Sequence, residues 1–231
     1  MSEKPAGVGP RIALIHALED SVLPARAAFA EEWPEAFAFD LLDTSLAIDL
    51  AEVGTLDTAM MDRFQTLADY AVGLDGKAGQ TQAILFTCSA FGPAIDAVKA
   101  RLSLPVLRPN ESAFEEALDR GSRLALVVTF GPSLAALEAE LHAMAAARGR
   151  EVTVTPIFVE GALAALKAGD GATHDRLARE ACRGVGEVDA VILGQFSLAR
   201  AAAQVQSVTS APVLTTPGCA VRALRGKMSP R

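Results

Sequence analysis

The sequence has few aromatic side chains, 5% of 231 residues, with one tryptophan and one tyrosine. Basic residues are also scarce: 21 Lys and Arg against 28 Asp and Glu give a formal net charge of -7. A pI near 5.0 leaves no basic field to attract phosphate. This argues against a nucleic-acid partner or an acidic membrane surface. It does not exclude small anions, which local dipoles can hold. No run approaches the roughly 18 uninterrupted apolar residues of a membrane helix. The first apolar stretch, Ile12 to Leu18, is too short for a secretory signal core and meets Glu19-Asp20 at once. Three cysteines, Cys88, Cys182 and Cys219, are an odd count, expected to stay reduced in a cytoplasm. Zinc-ligand spacing and glycine-rich phosphate loops are both missing, so neither a metal nor a cofactor is expected.

What the chain does have is aliphatic material: hydrophobic residues make up 51%. Short apolar runs at 12–17, 36–42, 82–87, 105–107, 123–129, 152–158, 189–194 and 212–214 read as strands buried on both faces of a parallel sheet. Helical stretches alternate with them at 21–32, 56–72, 91–102, 110–120, 132–148, 160–168, 171–184, 197–208 and 218–225. The alternation predicts an α/β architecture with helices on both faces.

The chain also repeats itself. Shifted by 107 residues, Ala83–Leu107 lies over Ala190–Leu214, and both segments run from a strand through a small loop and a helix to Pro-Val-Leu. Shifted by 112 residues, Arg11–Phe29 lies over Arg123–Leu141, with Ser21 on Ser133 as expected N-caps. The expected halves are 11–122 and 123–211, with segment 212–231 packing back on the first. Two pseudo-symmetric domains, each a mainly four-stranded parallel sheet flanked by helices, would place an active site in the cleft between them. Ligands of open parallel sheets sit beyond the carboxyl ends of the strands.

One such end carries chemistry. Thr87-Cys88-Ser89-Ala90 follows a strand and opens a helix. A thiol there is expected to feel the positive end of the helix and to ionise more easily. The neighbouring N–H groups and hydroxyls could hold a carboxylate or an enolate oxygen.

The strand ending in Phe86-Thr87-Cys88-Ser89-Ala90, the following Pro-Val-Leu and the mirrored Ile192-Leu193-Gly194 loop resemble the aspartate/glutamate/hydantoin racemase superfamily. That superfamily also includes maleate isomerases and arylmalonate decarboxylases. Thr129 in "VVTFGPS" resembles its substrate-contacting threonine, and "PIFVEG" at 156–161 is similar to a stretch of glutamate racemases. The resemblance covers essentially the whole chain. It implies a cofactor-independent enzyme acting on a small carboxylate, two thiols on opposite faces of the substrate carbon, and compatibility with a homo-oligomer. Cys88 matches the first thiol. At the second, this chain has Gln195, whose amide does not titrate.

The expected catalytic residue is therefore Cys88, with Gln195, Glu160, His16 and Cys219 as candidate partners. Thr87, Ser89, Ala90, Thr129, Phe130, Ser133, Phe196 and Ser197 are expected to contact substrate. Phe91, Phe130 and Phe196 suggest room for an uncharged group. Cys182 reads as helical core, Trp33 as packing a helix end, His142 and His174 as solvated, and Glu19 and Asp20 as charges complementing a helix start. The resulting expectation is a racemase or isomerase of a small carboxylate or hydantoin-like substrate through a Cys88 thiolate. A one-thiol decarboxylase or cis–trans isomerase is the alternative. A non-catalytic small-carboxylate binder is the alternative of another class.

Overall fold

The structure, a computed structural model, describes residues 9–228. It divides into two units. One holds the chain up to Pro109 and from Ala220 onward; the other is Asn110–Cys219.

The first unit runs β1 (Arg11–His16), α1 (Val22–Glu32), β2 (Phe37–Leu42), α2 (Ser45–Val53), α3 (Thr58–Gly73), β3 (Asp75–Gly76), β4 (Gly79–Phe86), α4 (Gly92–Arg101) and β5 (Val106–Leu107). Its parallel sheet has the order β2-β1-β4-β5, and β3 adds an antiparallel stub to β4. Alternation along the strands decides the packing. Ala13 and Ile15 of β1, with Ile84 and Phe86 of β4, point to the face covered by Leu46 of α2, Met60, Phe64 and Ala68 of α3, and Ile95 and Val98 of α4. Helix α1 buries Ala25, Ala28 and Phe29, and Trp33 stacks on Phe29 at its end, as expected.

The second unit runs α5 (Glu111–Arg120), β6 (Arg123–Val128), α6 (Leu134–Ala147), β7 (Thr153–Phe158), α7 (Ala162–Lys167), α8 (Gly171–Cys182), β8 (Ala190–Leu193), α9 (Ala202–Gln206) and β9 (Val213–Thr215). The helix α10 (Thr216–Met228) closes the described chain. Its four strands are parallel in the order β7-β6-β8-β9. Leu124, Leu126 and Val128 pack on α5 and α6, while Ala125 and Val127 pack on α7, α8 and α9.

The two sheets share one register. Ile12 pairs with Ala83 in the first, and Leu124 with Ala190 in the second. Shifts of 112 and 107 residues carry one pair onto the other. The same 107-residue shift carries Ile84↔Val106 onto Val191↔Val213. The repeat seen in the sequence is thus a repeat of hydrogen-bonded strand pairs.

Several expectations shift. The division falls at Pro109/Asn110 rather than 122/123, because Ala113, Phe114, Ala117 and Leu118 of α5 bury into the core of the second unit. Segment 212–219 stays with that unit, since β9 pairs with β8 and Cys219 packs in the same core. Only the part of the C-terminal segment from Ala220 on belongs to the first unit, where Arg222 and Arg225 bond to Glu32. Helix α2 was not expected. Its signals were present, with Asp43 accepting from the backbone N–H of Ser45 at 3.1 Å and Gly54 ending the helix at φ 79°. The helix expected at 197–208 opens instead as a 3₁₀ stretch, Phe196–Ala201.

Candidate functional site

Cys88 follows the carboxyl end of β4, in extended backbone, just before a short 3₁₀ turn, Ser89–Phe91. Its side chain is half-buried and shares a small pocket with Ile15, His16, Ala17, Leu46, Phe64, Phe86 and Phe91. The backbone N–H of Ala90 donates to the sulfur, which favours the thiolate. Burial among apolar groups outweighs that bond and pushes the thiol pKa up from its ordinary value. This overturns the expected depression. The α-helix proper starts only at Gly92, so its dipole acts from a turn away, and such effects fall off within the first turn.

His16 ends β1, fully buried. Its Nε2 lies 3.0 Å from Asp40 Oδ1, and its Nδ1 lies 2.9 Å from the hydroxyls of both Ser21 and Thr87. A carboxylate only accepts, so Nε2 carries the ring proton and Nδ1 is the acceptor in the neutral ring. Arg26 donates from Nε to Asp40 Oδ2 at 2.8 Å. Burial lowers the His16 pKa despite the opposing pull of Asp40. Both ring nitrogens are therefore engaged with Ser21, Thr87 and Asp40 rather than with Cys88. The residue still lines the Cys88 pocket, next to Ile15 and Ala17.

Thr87, expected to contact substrate, is buried, and its hydroxyl is taken up by this network. Ser21 sits at the N-cap position of α1 without capping it; its hydroxyl donates back to Leu18 O at 2.7 Å. Ser133 mirrors it, donating to Phe130 O at 2.8 Å. Asp40, Arg26 and Asn110 were not singled out from the sequence. For Asp40 there was a signal: it is the one charged residue in the apolar strand "FAFDLL".

In the second unit Gln195 follows β8 as Cys88 follows β4. Its Oε1 accepts from the backbone N–H of Thr129 at 2.7 Å and from the Thr129 hydroxyl at 2.8 Å. Its Nε2 lies 3.5 Å from Ser133 Oγ. The loop is braced behind it: Gly194 N–H donates to Val127 O and Asn110 Nδ2 donates to Gly194 O, both at 2.8 Å.

The remaining candidates scatter. Phe91 and Phe196 are buried plugs, Phe91 against Phe64 at 4.8 Å between ring centroids, while Phe130 is exposed. Ser89 and Ser197 are half-buried, and Ala90 and Glu160 are exposed. Cys219 lies buried in the core of the second unit. Cys182 is core as expected, and burial pushes its pKa up to about 11. His174, expected in solvent, is fully buried with Nδ1 2.8 Å from Asp175 Oδ1, because α8 turns that face inward; His142 is exposed at its side chain. Among the described residues no cluster of three or more His, Cys, Asp or Glu is placed to hold a metal ion, and no helix is long and apolar enough to cross a membrane.

Residues 25–224 match the family model described as Asp/Glu/Hydantoin racemase. No curated protein matches the sequence. Among solved structures, the chain is similar to the allantoin racemase of Klebsiella pneumoniae, with a TM-score of 0.69 and 18% identity over 94% of this chain and 87% of that one. The glutamate racemase isoform RacE1 of Bacillus anthracis superposes with a TM-score of 0.65 and 12% identity, over 96% and 82% of the two chains. The aspartate racemase of Picrophilus torridus does so with 0.66 and 12%, over 95% and 94%. At such identities the likeness is one of fold.

Proposed function

Since the chain belongs to the Asp/Glu/hydantoin racemase family, we propose that it is a cofactor-independent racemase or isomerase of a small carboxylate or hydantoin-like substrate, working through the Cys88 thiolate. The observation that carries this reading is the setting of Cys88. It is the one cysteine beyond the carboxyl end of a strand and not in a core, and a backbone N–H is aimed at its sulfur. The thiolate removes the proton α to a carbonyl: an S–H bond forms, the C–H bond breaks, and the electron pair moves into an enolate. Return of a proton from Cys88 to the same face gives exchange with retention, and inversion takes a proton delivered to the opposite face of the enolate by a second acid or by water. Because burial holds the resting group as a thiol, the base form grows as pH rises.

Gln195 favours a second reading. Its amide cannot exchange a proton at neutral pH, and its oxygen is already occupied by Thr129. A one-thiol reaction, either cis–trans isomerisation by reversible addition or decarboxylation with protonation by Cys88, needs no second titrating group.

Both enantiomers of aspartate, glutamate and allantoin, the compounds named by the structural neighbours, form the first substrate panel. Incubation in heavy water, followed by proton NMR, reads loss of the α-hydrogen signal, and polarimetry reads inversion. Exchange on at least one compound, abolished in Cys88→Ala, supports the racemase reading. Carbon dioxide release from a malonate, or conversion of maleate to fumarate, without exchange on the panel favours the second.

A further inference from the structure

We infer that Asp40 and His16 are positioning residues for the reaction: acting through the Thr87 hydroxyl, they fix the peptide that carries Cys88. This deepens the Cys88 reading and rests on it. All four residues lie in the first unit.

The hydrogens of the network can be placed one by one. Arg26 donates from Nε to Asp40 Oδ2, and the other carboxylate oxygen takes the Nε2 hydrogen of His16 at 3.0 Å. Nδ1 is then a lone pair with two hydroxyls 2.9 Å away, those of Ser21 and Thr87. The Ser21 hydrogen is already committed. It goes to Leu18 O at 2.7 Å, just as the equivalent Ser133 gives its own to Phe130 O at 2.8 Å. Only the Thr87 hydrogen is left for Nδ1. Its other acceptors are Ile15 O, at 3.4 Å, and the Ser21 oxygen, a weaker acceptor than an imidazole nitrogen. The Thr87 backbone N–H donates to Ile15 O at 3.1 Å. Thr87 is therefore pinned to β1 at both its backbone and its side chain, and Cys88 is the next residue.

The second unit shows that the fold does not require this network. The same shifts carry His16 onto Val128 and Thr87 onto Gly194. The strand pairs Leu14↔Asp40 and Leu126↔Pro156 place Pro156 where Asp40 stands. Both corners keep the backbone bond, from Thr87 to Ile15 and from Gly194 to Val127. In the second unit apolar contact closes the corner: Val128 is fully buried, and a Cβ on Gly194 would stand 3.3 Å from its Cγ1. The first unit instead buries an imidazole and two hydroxyls, groups whose desolvation is unfavourable unless each is hydrogen-bonded. What the first corner has and the second lacks is the thiol, for Cys88 follows Thr87 and Gln195 follows Gly194. A base that must meet a carbon-bound proton works only within a narrow range of positions, and holding it there raises the rate of the chemical step.

Asp40→Asn tests this through the ring. Arg26 still requires an oxygen, so the asparagine NH₂ faces His16 Nε2, the ring hydrogen shifts to Nδ1, and the Thr87 hydroxyl loses its acceptor. Nitrogen NMR of the His16 ring, assigned by its absence in His16→Gln, should report hydrogen on Nε2 in wild type and on Nδ1 in Asp40→Asn. Solvent deuterium exchange on the active member of the panel should fall about 10²-fold in kcat in Asp40→Asn and in Thr87→Val, with KM changed less than about threefold. Thr87→Ser, which keeps the hydroxyl, should recover most of that loss. Because Asp40 acts through Thr87, the double variant should be no slower than Thr87→Val alone. The pH midpoint of Cys88 alkylation should stay within about half a pH unit of wild type in Asp40→Asn, since burial and the Ala90 N–H set it. Exchange in Asp40→Asn within about threefold of wild type, additive losses in the double variant, or a wild-type ring with its hydrogen on Nδ1 overturns the inference and leaves the Cys88 reading intact. So does a shifted alkylation midpoint, which marks the pair as acting on the Cys88 proton, and so does a loss of exchange that tracks melting temperature without rescue by Thr87→Ser. If Thr87→Val does not fold, the ring signal and kcat of Asp40→Asn decide. If wild-type protein exchanges no panel member, the Cys88 reading fails and this inference fails with it.

Discussion

Gln195 Oε1 accepts two hydrogen bonds from one residue, Thr129, at 2.7 Å from its backbone nitrogen and 2.8 Å from its hydroxyl. The second bond can be removed alone. Thr129→Val keeps the shape and the backbone donor but deletes the hydroxyl, so a stability loss of about 1 kcal/mol is expected. Urea unfolding measures it. No change, or a gain, contradicts the pairing.

Cys88 is held protonated by burial, against the pull of the Ala90 N–H. Iodoacetamide alkylation of Cys88 should therefore climb with pH, with a midpoint above the ordinary thiol value of 9.0. The slow background from other thiols is subtracted with Cys88→Ala. A midpoint near or below neutrality contradicts the burial account. The same shift has a consequence for stability. A raised folded pKa contributes fully below the unfolded value and is lost as pH rises through the folded one, so the fall in stability at alkaline pH, read by urea unfolding, should be smaller in Cys88→Ala than in wild type.

His16 gives the opposite sign. Its folded pKa lies below the ordinary 6.5, so the stability it contributes is present above 6.5 and disappears as pH falls through the folded value. Equilibrium unfolding from pH 7.5 to 5 should show a decline that is smaller in His16→Gln. The substitution itself should cost about 1–3 kcal/mol at pH 7.5, because it disturbs buried partners. A pH slope identical in wild type and variant contradicts the assignment.

Much of this fold is written in local pattern. The apolar runs at 12–17 and 123–129 could hardly be anything but central strands, and the repeat located them relative to one another. The loop of Cys88 was found from its place between strand and helix. The raised pKa of the thiol is not legible there, because burial by Phe86, Phe91 and Phe64 is contributed by separate elements, and no local window displays it. His16 looked like a partner for Cys88 because both end neighbouring strands. They do line one pocket, but the ring nitrogens of His16 are taken up by Asp40, Ser21 and Thr87, partners that no local window displays. Helix α5, expected in the first half, belongs to the second unit; its apolar face fits either core, and packing alone makes the choice.

Gly194 offers a separate lever on the glutamine loop. A methyl group at its Cα would stand 3.0 Å from Leu126 Cδ1 and 3.2 Å from Val127 O. Gly194→Ala overpacks this spot, so a stability loss of about 1–3 kcal/mol is expected in urea unfolding. An alanine variant as stable as wild type contradicts the packing described here.

The central claim is that one thiol, Cys88, moves the substrate proton. Proton NMR in heavy water, with wild-type protein and Cys88→Ala side by side on aspartate, glutamate and allantoin enantiomers, tests it most directly. The account predicts enzyme-dependent loss of the α-hydrogen signal for at least one compound in wild type and only the uncatalysed rate in Cys88→Ala. Undiminished exchange in Cys88→Ala would contradict it.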